Sequence, residues 1–201
     1  EIGGDREEGS KMKIPTLPHL KSGEFAEILL FFLSQCLRCT DVNVAPLKWR
    51  WKENQDTPCH LTDIVLAKCD DEKNPNTEDF LYFVESKAKA TPLSQTTTDS
   101  VMNDAIDGAV NDCVSRAGKT VAWLVTKLAH DKEYDMARKM GRFKDSSDVE
   151  YQRFLNAAIV VDKDSLDKHI ANITAANLKT AKKNKISLFA VPFADMKALY
   201  E

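Results

Sequence analysis

The sequence predicts an α/β fold, a mixed central sheet flanked by helices. Three observations carry that expectation. The apolar patterns run in the order helix, three strands, helix, strand, helix, strand, and such an order packs naturally as a sheet with helices against it. A chain of 201 residues, 43% apolar and 29% charged, is long enough for one sizeable core and has ordinary globular composition. No internal repeat or long linker divides it, so residues 20–201 are expected to form a single domain behind a flexible N-terminal arm, 1–19.

The elements follow in turn. The arm is polar and Gly-rich and then carries Pro15 and Pro18. Residues 22–38 predict a helix, with Ser22 as N-cap and Glu24 in its first turn. Phe25, Ile28, Leu29, Phe32 and Cys36 share one face, and Leu30, Phe31 and Leu33 spread apolar surface almost all round, which predicts a well-buried helix. Glu27 is then a carboxylate on a mostly buried element. Residues 46–51 alternate Leu47, Trp49 and Trp51 with Lys48 and Arg50; this run and the apolar runs 60–68 and 80–87 predict three strands. A polar stretch with Asn74-Pro75 joins the last two.

Residues 99–130 predict a long helix, with Val101, Ala105, Ala109, Cys113 and Ala117 stepping by four. Gly108 and Gly118 each weaken it by about 1 kcal/mol relative to Ala, and Gly118 marks a candidate break. Residues 131–152 are charged and irregular. A strand over 154–161, an amphipathic helix over 164–182, a strand over 186–191 and a short helical tail complete the chain.

Charge narrows the function classes. With 28 basic and 31 acidic side chains the net charge is −3, which excludes a histone-like basic binder but not a local basic groove. No run of 18 apolar residues predicts a membrane-spanning helix. The first residue is Glu1 and no signal-peptide pattern follows, which reads as a trimmed, cytoplasmic chain. Cys36, Cys39, Cys59, Cys69 and Cys113 are odd in number and without framework spacing, so reduced thiols are expected.

One constellation carries chemistry. Acid-x-Lys triplets occur at Asp71-Glu72-Lys73, Glu85-Ser86-Lys87 and Asp195-Met196-Lys197, but only the second closes an apolar strand. Residues two apart on a strand face the same side, so Glu85 and Lys87 project together. Asp63 sits in the preceding apolar run, LTDIVL, and neighbouring strands can bring Asp63, Glu85 and Lys87 into one cluster. Two carboxylates and a backbone carbonyl suit Mg²⁺, and a lysine beside them can orient or help deprotonate a water. Hydrolysis of a phosphodiester fits such a set. An ordinary cross-strand salt-bridge cluster fits the same pattern.

These residues resemble the PD-(D/E)xK nuclease superfamily, with its restriction-endonuclease-like αβββαβ core. Asp63 matches the acidic position, although Thr62 rather than Pro precedes it, and Glu85-Ser86-Lys87 matches the (D/E)xK triplet. Gly23-Glu24-Phe25-Ala26-Glu27-Ile28-Leu29-Leu30, His60-Leu61-Thr62-Asp63 and Val84-Glu85-Ser86-Lys87 further resemble the DUF1837 family, the HamA nuclease subunit of Hachiman anti-phage systems, over about residues 20–165. The resemblance implies Mg²⁺- or Mn²⁺-dependent cleavage of DNA. It implies a metal held by Asp63, Glu85, the Ser86 carbonyl and Glu27, and a water positioned by Lys87. It also implies a HamB-like helicase partner. A stand-alone restriction endonuclease and a non-catalytic DNA- or partner-binding module of the same fold are the alternatives.

Other features have plainer readings. Arg138, Lys139, Arg142 and Lys144 follow the long helix and are the candidate DNA contacts. Lys179, Lys182, Lys183 and Lys185 end a helix, where the dipole favours lysine. Trp49 and Trp51 read as packing before base stacking, and Cys36-x-x-Cys39 as buried thiols before a metal site. Gln95 and Thr96–Thr98 either line a channel or lead into the long helix. His19, His130 and His169 read as surface or packing residues.

Overall fold

A computed structural model describes residues 15, 17–37, 42–52, 54, 56, 61–91, 93, 94, 96, 98–144, 149–195 and 198, without the side chains of Cys113 and Val114. Strands β1 (Ile64–Lys68), β2 (Phe80–Lys89), β3 (Gln152–Asp162) and β4 (Ile186–Phe193) lie side by side in that order. β1 runs antiparallel to β2, and β2, β3 and β4 are mutually parallel. The expected mixed sheet flanked by helices is present.

Alternation along the strands divides the core into two. Val65, Ala67, Leu81, Phe83, Ala157 and Ile159 face helices α2 (Val101–Asn111), α3 (Ala117–His130) and α4 (Tyr134–Gly141). Ile64, Leu66, Tyr82, Val84, Ala158 and Val160 face helix α1 (Pro18–Leu37). Parallel β2 and β3 are covered on both sides, which explains their unbroken apolar sequences. The crossover from β2 to its parallel neighbour β3 carries α2, α3 and α4. α5 (Leu166–Ala171) and α6 (Ala175–Lys183) connect β3 to β4.

Several expectations are corrected. Residues 46–51 are not a strand: Val44 makes a single antiparallel bridge to Ala67, and Lys48–Trp51 form a 3-10 turn. Packing explains the turn. Trp49 sets its ring edge-on to Phe31 at 5.1 Å, Trp51 sets its own against Trp123 at 5.3 Å, and the Trp51 indole N–H donates to Asp131 at 2.6 Å. α1 begins at Pro18, where proline's fixed φ suits a first helical position, and Ser22 is inside the helix, donating from Oγ to the His19 carbonyl at 2.9 Å.

The inward face of α1 also differs from the expected one. Ser22, Ala26, Leu30, Phe31 and Ser34 are buried, while Phe32, Leu33, Leu37 and Cys36 are exposed. Small side chains let the helix backbone approach the sheet, a fit that apolar periodicity does not register. The charged stretch 131–152 contains α4. The helix expected over 164–182 is split, because Thr174 starts a fresh one by accepting from the Asn177 N–H. The arm up to Ile14, together with Cys39, Cys59, His60, Gln95 and Thr97, lies outside the described residues, as does most of the expected tail.

Candidate active site

Asp63 and Glu85 meet across β1 and β2. The antiparallel pair Ile64 and Val84 sets the register, and one step further along it Asp63 stands opposite Glu85. Asp63 lies just before the strand, at a bend introduced by Leu61 with φ of 78°. A non-glycine residue in the left-handed region costs about 1–3 kcal/mol. The surrounding bonds hold the bend. Buried Lys48 donates from Nζ to the Thr62 carbonyl at 2.6 Å, and the Thr62 and Thr120 hydroxyls lie 3.2 Å apart. Asp63 Oδ2 then accepts from the Ser86 N–H at 2.8 Å and the Ser86 hydroxyl at 3.1 Å.

Glu85 and Lys87 face the α2 side of the sheet, as their spacing predicts. Lys87 Nζ donates to Glu85 Oε1 at 2.5 Å; the Glu85 side chain is 4% exposed and that of Lys87 37%. Glu27 approaches from α1, with its Oε2 3.9 Å from Lys48 Nζ. Glu24, one turn earlier, is taken up by Lys52 at 2.9 Å. An open cleft of ≈ 420 Å³ lined by Glu24, Glu27, Trp49 and Lys52 adjoins them.

Two further residues enter that periodicity did not single out. Asp112 begins a π-helical turn, Asp112–Arg116, between α2 and α3, in which the Ala117 N–H reaches back to the Asp112 carbonyl. The buried positions run Ala105, Ala109, Asp112 and then Ala117, Val121, Leu124. Fully buried Asp112 keeps the spacing of Ala105 and Ala109, and among the described side chains the stripe resumes at Ala117 beyond the turn. Such turns recur at functional sites. Arg116 Nη1 lies 3.3 Å from Asp112 Oδ1 and 3.8 Å from Glu85 Oε2.

The electrostatics are those of crowded acids. Burial, then Asp63, pushes the Glu27 carboxyl up to about 8 against the pull of Lys48. The same causes raise Glu85 to about 7 against Lys87, and Asp112 to about 6 against Arg116. Burial opposes the charge of Lys87, but the Glu85 carboxylate and the hydrogen bond between them outweigh it, so its ammonium is held more tightly than usual. Buried Glu85 Oε2 and Asp112 Oδ2 have no hydrogen-bond partner. Among the described residues no group of acids already stands in a metal-coordinating arrangement; ammonium and guanidinium groups share their charge instead.

A match to the HamA family model spans residues 5–201. The chain belongs to the HamA family. No curated protein and no solved structure matches it. HamA membership suggests a component of the Hachiman anti-phage defence system. No described helix is long and apolar enough to cross a membrane.

The basic cluster of this HamA chain does not join the acids. Arg142 is buried, bonded through Nε to Asp79 at 2.9 Å and through Nη2 to the Glu150 carbonyl, so it is not an open DNA contact. It locks the start of β2, whereas Glu85 lies about 17 Å further along at ~3.3 Å per residue. Arg138 pairs with Glu72 and Asp135, Lys139 pairs with Asp135, and Lys144 is exposed. Cys69 is buried, and burial pushes its thiol up to about 11, which makes it a poor thiolate.

Proposed function

We propose that this HamA chain is the metal-dependent DNA nuclease of a Hachiman system, with Asp63, Glu85, Lys87 and Glu27 as its site. The observation that carries the reading is the convergence of Asp63, Glu85 and Lys87 at the end of β1 and β2, with a buried Glu85 oxygen left without a partner. The donor set fits a hard divalent cation, since crowded carboxylates with raised affinity for protons are relieved by positive charge.

Asp63, Glu85, the Ser86 carbonyl and Glu27 would hold Mg²⁺ or Mn²⁺. When bound, such an ion polarises a phosphoryl oxygen and lowers the pKa of water. Lys87, held beside Glu85, would orient the attacking water and offset charge developing on the phosphate. The Ser86 N–H and hydroxyl keep Asp63 Oδ2 in place. Lys87, partly exposed beside the acids, and exposed Lys144, farther along the sheet, are candidate phosphate contacts. A helicase subunit as partner and a cytoplasmic setting belong to the same proposal.

The test is cleavage of plasmid and linear DNA with Mg²⁺ or Mn²⁺, comparing the native chain with Glu85→Ala and Lys87→Ala. Each variant is expected to lose at least about a hundredfold, the scale on which a transition-state charge partner acts. Cleavage that persists in both removes the assigned site. A second reading, a non-cutting DNA- or partner-docking module, draws on the way Lys87, Arg116 and Lys48 already neutralise the acids. Unchanged DNA affinity in Glu85→Ala, with no cleavage by the native chain, favours it.

A further inference from the structure

We propose that Asp112 is an additional acidic ligand of the cation site, and that Arg116 is a resident counter-charge which a divalent ion must displace. The inference rests on the metal-dependent reading above and adds two residues to it. Asp112 is fully buried, yet its Oδ2 has no hydrogen-bond partner; the facing Glu85 likewise leaves Oε2 without one. The Thr62 hydroxyl and the Glu85 carboxyl ease the charge of Asp112, yet two such buried carboxylate oxygens remain costly unless a proton or a cation serves them.

A cation is already near both. Arg116 Nη1 lies 3.3 Å from Asp112 Oδ1 and 3.8 Å from Glu85 Oε2, so one positive group spans the pair loosely. Its side chain is 38% exposed, and it can swing outward without leaving a hole in the core. The π turn fixes the arrangement. Asp112 begins it on the buried face that Ala105 and Ala109 set, and Arg116, four residues on, reaches back over the same carboxylate. The Thr120 hydroxyl anchors the end of the turn by donating to the Arg116 carbonyl at 2.9 Å, and it also lies 3.2 Å from the Thr62 hydroxyl, beside Asp63. The helix and the loop bearing Asp63 are thereby held together.

Mn²⁺ binding, followed by the paramagnetic resonance signal of the free ion, tests this on the full chain without reference to cleavage. Asp112→Asn is expected to weaken Mn²⁺ binding at least about tenfold. Arg116→Gln is expected to strengthen it several-fold, because the competing charge is gone. Glu85→Gln serves as the reference for a ligand. Unchanged affinity in Asp112→Asn alongside a loss in Glu85→Gln overturns the role of Asp112 and leaves the metal reading standing. Absence of Mn²⁺ binding by the native chain overturns both. Should Asp112→Asn fail to fold, Arg116→Gln decides, since affinity that is unchanged or weaker there overturns the proposal.

Discussion

Gly108 lies directly against the carboxylate of Glu85. A Cβ added at this glycine would stand 2.5 Å from Glu85 Cδ and 2.6 Å from its Cγ. A glycine that weakens α2 by about 1 kcal/mol is thus what allows the helix to close over a buried acid. Gly108→Ala is expected to recover helix propensity while pushing Glu85 aside. Stability should change by no more than about 2 kcal/mol as propensity and overpacking offset each other. DNA cleavage should fall about a hundredfold, the consequence of displacing a reacting group by about 1 Å. Single-turnover cleavage and thermal unfolding read the two effects, and full activity in the variant refutes the proposed role of Glu85.

The crowded acids also set a pH dependence. Glu27, Glu85 and Asp112 have folded-state pKa values of about 8, 7 and 6, all above their ordinary carboxylate values. In that window the folded chain binds more protons than the unfolded one, so stability falls as pH rises from about 5 to 8. His169 acts in the opposite sense. Burial and the nearby Lys89 lower its pKa, so stability is lost as pH falls through the ordinary histidine range. A difference between two chains separates them: without divalent ion, Glu85→Gln should exceed the native chain in melting temperature by more at pH 8 than at pH 5. An equal gap at both values contradicts the raised pKa of Glu85.

Arg142 and Asp79 form a nearly enclosed ion pair, with side chains 2% and 1% exposed. Removing one partner of such a pair strands a buried charge and costs about 3–5 kcal/mol. Arg142→Ala is therefore expected to lower stability by that amount in urea denaturation, whereas Lys144→Ala should stay within about 0.5 kcal/mol. Equal, small effects would return Arg142 to the surface.

Lys132 closes α3 with φ of 64°. Its N–H reaches the Ala129 carbonyl and the Glu133 N–H reaches that of Leu128, the paired bonds of a Schellman ending. Glycine is the usual residue at this position because a Cβ costs about 1–2 kcal/mol in the left-handed region. Lys132→Gly is expected to stabilise the chain by about 1 kcal/mol in chemical denaturation, and a loss would contradict the assigned cap.

The α/β class, the first and long helices and the strands β1 to β4 could be read directly, because apolar period and run length report burial without reference to distant parts of the chain. The shared orientation of Glu85 and Lys87 was readable for the same local reason: alternation on a strand follows from backbone geometry alone. Asp63 opposite Glu85 needed only the assumption that their strands are neighbours. Tertiary structure decided the rest. Whether 46–51 pairs as a strand depended on where Phe31 and Trp123 stood to receive Trp49 and Trp51. The inward face of α1 depended on backbone approach at Ser22, Ala26 and Ser34. Asp112 stands inward at ordinary helical spacing from Ala105 and Ala109, but its place beside Glu85 depended on how the helix closes over β2, and Arg142 was drawn from an apparent basic patch into the core by Asp79, which is remote in sequence. Local periodicity carries no record of such pairings, since they are set by which surfaces meet when the chain closes on itself.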